Sequence, residues 1–170
     1  LEMKRIGLAL AVACSLWSTT AHAQERRQCS GAQLGTWALQ AYTSEVVATG
    51  EKRYPLGEHP SGFLTYSSDC RMQAILLRGQ RTAPVTAPPT DAERVRLYDG
   101  LMAYAGDYSI DGNTVRHKID ASWNQVWTGT TQVRQFTIEG ETLTVKTMPA
   151  ANPFDARETT VGVLVWTKVR

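Results

Sequence analysis

The chain is poor in the residues that most often announce chemistry. It holds three histidines and three cysteines in 170 residues. His22, His59 and His117 fall at no metal-ligand spacing with those cysteines, so neither a metal nor another cofactor is expected. There is no glycine-rich phosphate loop, no Gly-x-Ser-x-Gly elbow and no His-Glu-x-x-His. The motif-bearing nucleotide binders, α/β-hydrolases and zincins are excluded with them. An excess of one charge is missing as well. The net charge is +2 with 20% charged residues, and the charges are scattered. Nucleic acid and anionic membrane surfaces are therefore not expected partners. Acidic residues fall mostly in turns and on polar faces, with no carboxylate pair assignable to one cleft.

Long hydrophobic runs are scarce too. The N-terminal one, residues 6–17, follows Lys4 and Arg5 and precedes Ala21-His22-Ala23. This is the three-part pattern of a secretory signal, too short for a stable membrane anchor. Residues 1–23 are read as that signal, residues 24–33 as an N-terminal extension and residues 34–170 as one folded domain. Leu1-Glu2, ahead of Met3, reads as a vector remnant or an unusual start. Ala11-Val12-Ala13-Cys14 is a poor lipoprotein box, because Ala11 is a weak substitute for a larger aliphatic residue. The expectation is a periplasmic or secreted protein. Removal of the signal leaves Cys29 and Cys70, and two thiols in an exported chain invite a disulfide. Closing that loop of about 40 residues is worth up to roughly 4 kcal/mol by chain entropy. Two unpaired thiols are the alternative.

What recurs through the remainder is alternation of apolar and polar residues between turn signals. Candidate strands cover residues 34–42, 62–67, 71–77, 104–110, 113–120, 128–138, 142–148 and 160–169. Tight turns fall at Ser68-Asp69-Cys70, Asp111-Gly112 and Glu139-Gly140. Prolines 84, 88 and 89 make residues 78–89 irregular. Thr90 and Glu93 then form a capping box ahead of Val95, Tyr98, Leu101 and Met102, which share a face at helical spacing. Such a helix would plug the barrel or act as a lid. Eight antiparallel strands with short late connections predict an all-β up-and-down barrel with one short helix in a connection. A barrel of this size holds side chains or one small ligand.

Several segments together resemble the lipocalin-like domain family of bacteria and fungi. They are Leu34-Gly35-Thr36-Trp37, Tyr54-Pro55-Leu56-Gly57, Gly62-Phe63-Leu64-Thr65-Tyr66, Ala103-Tyr104-Ala105-Gly106-Asp107-Tyr108, residues 129–136 and the closing Leu164-Val165-Trp166. The resemblance implies a calycin-like barrel. One departure is Asp69-Cys70, where Asp-Gly is usual. Cysteine tolerates positive φ poorly, so either the turn type changes or a tertiary constraint, such as a bridge to Cys29, holds the strain.

Alternation predicts the interior face. Trp37, Leu39 and Ala41 share it on the first strand, and Tyr104, Tyr108 and Ile110 on the fourth. Val115, His117 and Ile119 follow, then Thr130, Gln132, Arg134, Phe136 and Ile138. Leu143, Val145, Leu164 and Trp166 complete the set. The candidate ligand-binding residues are Tyr66, Tyr104, Tyr108, His117, Gln132 and Arg134. Arg134 would meet a ligand carboxylate, or else pack on Trp37 to close the floor. His117 is the one acid or base of the predicted interior. Trp123 and Trp127 flank a loop or bulge, as an aromatic rim or as packing. Three functions remain open. A carrier would hold a small hydrophobic molecule, and a barrel isomerase, cyclase or hydratase would use His117 with Arg134 or a tyrosine. A filled barrel would instead work through its surface, as a structural or interaction protein. A homodimer is compatible with all three.

Overall fold

A computed structural model of the chain describes residues 27–153, 155 and 157–170. The expected signal, with Cys14, lies outside the described residues. Ten strands form in the order β1 (Gly35–Val46), β2 (Lys52–Arg53), β3 (Ser61–Tyr66), β4 (Arg71–Leu77), β5 (Leu101–Asp111), β6 (Thr114–Ser122), β7 (Thr131–Glu139), β8 (Thr142–Thr147), β9 (Ala150–Ala151) and β10 (Thr159–Lys168). β2 and β9 are two-residue ribbons at the margin. The other eight make a closed antiparallel up-and-down barrel, because β1 pairs with β3 on one side and β10 on the other. Closure removes the sheet edges that an open arrangement would expose.

The connections sort by length. The hairpins β3–β4, β5–β6 and β7–β8 are tight and lie at one end, with the start of β1 and the finish of β10. The long connections that follow β1, β4, β6 and β8 leave from the other end. One end is therefore stitched shut, and the other is ringed by loops.

Two bulges reset the alternation. In β1 the pairing with β10 shifts between Leu39 and Ala41, so Gln40 is the extra residue. Trp37 and Leu39 point inward as expected, but Ala41 does not share their face. Tyr42, Ser44 and Val46 are buried in its place. In β6, Asp120 is extra, opposite the step from Ala105 to Gly106 in β5. The backbones approach so closely there that a Cβ on Gly106 would lie 2.0 Å from the Lys118 carbonyl oxygen. Farther along β5, Ile110 is exposed rather than interior, because the β5–β6 hairpin runs past the floor into solvent.

Helix α1 (Asp91–Asp99) starts as expected. The Thr90 hydroxyl accepts from the Glu93 backbone N–H, and the Glu93 carboxylate accepts from the Thr90 N–H. Its expected apolar face is not buried. Val95 is 60% and Tyr98 51% exposed, while Leu101 and Met102 belong to β5. The buried residue of the helix is Glu93, whose carboxylate also accepts from the Val85 N–H and so ties the proline-rich loop to the helix start. These bonds hold the Glu93 carboxyl below its ordinary value.

Candidate functional site

At the closed end the chain behaves as a packed core. Trp37, Tyr66, Tyr108, Val115, Leu143 and Trp166 are all at most 3% exposed. The Trp37 indole donates to the Gln33 carbonyl at 2.8 Å, and the Lys168 ammonium lies 4.3 Å from the centre of the Trp37 ring. Lys168, which also donates to the Leu34 carbonyl, thus supplies the basic residue over the floor tryptophan. That role does not fall to Arg134. Cys29 and Cys70 form a disulfide, with Cys70 at φ +65° in the β3–β4 turn. The bridge holds a non-glycine residue in the left-handed region, as the Asp69-Cys70 departure implied.

His117 sits deep in the barrel at 1% exposure. Its Nε2 and the Tyr66 hydroxyl are 2.8 Å apart, and Nδ1 has no hydrogen-bond partner. Burial, with a smaller contribution from the Arg134 charge, lowers its pKa to about 3. The imidazole is therefore neutral at ordinary pH. Tyr66 packs edge-on against Tyr108 at 4.8 Å, and the Tyr108 hydroxyl donates to the Ser67 carbonyl.

Above this layer the interior opens into a cavity of about 210 Å³. Tyr104, Gln132 and Arg134 line it among the expected residues; Tyr66, Tyr108 and His117 do not. Leu76, Met102, Leu164 and Trp127 give it apolar walls. Tyr42 lines it as well, a residue that unbroken alternation conceals because the Gln40 bulge turns it inward. Burial pushes the Tyr42 hydroxyl up to about 12 and raises Tyr104 and Tyr66, so all three stay protonated.

The cavity shares Pro153 and Thr160 with a wider mouth of about 410 Å³ between the loops. Aromatic rings connect the two. Tyr104 packs edge-on against Trp127 at 5.5 Å and Trp127 edge-on against Trp123 at 5.1 Å, while Trp123 and Tyr98 of the helix lie tilted to one another at 6.4 Å. Trp123 and Trp127 are thus both rim and packing, each half-buried. A larger trough of about 500 Å³ lies outside the barrel along Phe63, Ile75 and Ala103. It is shallow, and no charged side chain lines it, whereas the inner cavity combines apolar walls with converging polar groups. The inner cavity is the candidate site.

A closed eight-stranded barrel, sealed at one end and hollow at the other, defines a calycin-type fold. The lipocalin-like domain family matches residues 34–169, nearly all of the described chain, and the protein belongs to that family. Comparison with curated proteins finds no match. Among the described residues no helix is long and apolar enough to cross a membrane, and no group of three metal-ligating side chains occurs.

Proposed function

We propose that this protein holds a small, largely apolar molecule in the open half of its barrel, and does so outside the cytoplasm. The supporting observation is one cavity in which Leu76, Met102, Leu164 and Trp127 face the same space as Tyr42, Tyr104, Gln132 and Arg134. Apolar walls supply the affinity and a few polar groups the orientation. Tyr66, Tyr108 and His117 act one layer below, as support for that wall. The Cys29–Cys70 bridge supports residence in an oxidising compartment, in keeping with a signal over residues 1–23. His117, on which a catalytic reading depends, is neutral, bonded to Tyr66 and set back from the cavity wall. That favours binding over turnover.

The test is native mass spectrometry of protein exported to the periplasm and purified gently, paired with mass spectrometry of its organic extract. A stoichiometric adduct that extraction removes is the expected result. No adduct, and no response to an apolar ligand panel, would contradict it.

A further inference from the structure

Arg134 is 8% exposed and lines the inner cavity. Among the described residues no carboxylate lies within ion-pair distance of it. Its protein hydrogen bonds are to neutral acceptors. Nη1 donates to its neighbour Val133's carbonyl at 3.0 Å, both terminal nitrogens reach the single Gln132 Oε1 at 3.4 Å, and the guanidinium also bonds the Tyr104 hydroxyl. A guanidinium carries five donors and a fixed positive charge, and burying one without a counter-charge is costly. The Lys168–Trp37 contact already closes the floor, which leaves Arg134 with no packing duty there.

The geometry points to a small organic acid as the ligand, with its carboxylate on Arg134 and its apolar body against Leu76, Met102, Leu164 and Trp127. This rests on the binding reading above and names the ligand class for the same cavity. A carboxylate matches the planar fork of Arg134 with two short charge-assisted bonds, where only neutral oxygens now serve it. Tyr42 and Tyr104, protonated in the same cavity, add donors rather than repulsion. His117 is neutral, so the interior offers one positive charge and favours a monoanion over a dianion. The size follows from the volume. A cavity of about 150 Å³ accepts benzene, so about 210 Å³ suits a single-ring acid.

The experiment is calorimetric titration of the oxidised protein at pH 7 with phenylacetate and with its neutral isostere phenylacetamide, on wild type, Arg134→Met and Arg134→Lys. Phenylacetate binds wild type at least about 10-fold more tightly than the amide. Arg134→Met loses that preference while still binding the amide within about 3-fold, and Arg134→Lys keeps part of it. The unliganded Arg134→Met protein melts at the wild-type temperature or above, since an unpaired charge has been replaced by an apolar side chain. Equal affinities for acid and amide in wild type overturn the proposal. So does a preference that survives in Arg134→Met, or unfolding of both variants, which would make Arg134 a structural residue. Binding of the amide with rejection of the acid overturns the acid alone and leaves the binding reading intact. Failure of both probes and of a wider apolar panel removes the binding reading as well.

Discussion

The two ends of this barrel are built from the same eight strands and put to opposite uses. At the closed end, tight hairpins, the disulfide and the Lys168–Trp37 contact surround side chains that are almost wholly buried. At the open end, the same strands spread into long loops, the side chains alternate between apolar and polar, and about 210 Å³ stays unfilled. The difference lies in what interrupts the strands. Residues up to Leu39 in β1 keep strict alternation and pack the floor; past the Gln40 bulge, Tyr42 and Ser44 bring hydroxyls inward. The packed floor lies below and the cavity above, with His117 outside the cavity lining and Gln132, its partner across β6 and β7, within it.

This division can be broken or sharpened by substitution. The largest effect is expected from Trp37→Ala, which empties the floor and costs about 3–5 kcal/mol in denaturant unfolding. Its folded fraction should still bind at near wild-type affinity, because Trp37 does not line the cavity. A parallel loss of affinity would show that the two ends are coupled. Next is the bridge. Cys29→Ser with Cys70→Ser is expected to lose up to roughly 4 kcal/mol by the chain-entropy estimate. Cys29→Ser with Cys70→Gly should recover about 1 kcal/mol of that, since glycine accepts φ +65° without a Cβ clash.

A third effect depends on pH. The folded pKa of His117 is about 3, below its unfolded value near 6.5. The unfolded chain therefore takes up a proton that the folded chain refuses, and stability falls as pH drops from about 6.5 toward 3. Between pH 6.5 and 5.5, above most of the carboxylate range, the loss should reach about 1 kcal/mol. In His117→Gln, thermal melts over that interval should be flat; an unchanged slope would assign the effect to another group. The smallest stability effect belongs to Trp127→Ala at the rim. It should cost about 1 kcal/mol of folding stability yet weaken ligand binding about 10-fold. A large stability loss there would mean that the rim is core.

Local patterns made much of this fold readable. Three turn signals mark the three tight hairpins, and the Thr90–Glu93 capping box marks the start of α1. Two-residue alternation places Val115, His117, Ile119, Arg134 and Trp166 inside. What stayed hidden depends on pairing between distant strands. The bulges at Gln40 and Asp120 arise where one strand meets another, so alternation within β1 alone does not turn Tyr42 toward the cavity. Lys168 reaches Trp37 because the chain's last strand pairs with its first. The apolar spacing of Val95, Tyr98, Leu101 and Met102 misled because Gly100 ends the helix and hands the last two to a strand. The polar candidates were found as a set, but depth separates them. Tyr104, Gln132 and Arg134 reach the cavity, and Tyr66, Tyr108 and His117 brace it from below.

The division of the barrel is most directly tested by its own tryptophans. Trp37 and Trp166 belong to the floor, and Trp123 and Trp127 to the rim. Their indole N–H resonances can be followed by nitrogen-15 NMR during titration with phenylacetate, after assignment by single Trp→Phe substitutions. The account predicts that Trp127 and Trp123 shift with a common saturation curve while Trp37 and Trp166 stay in place. Movement of Trp37 and Trp166 with the rim silent, or of no indole at saturating ligand, would contradict it.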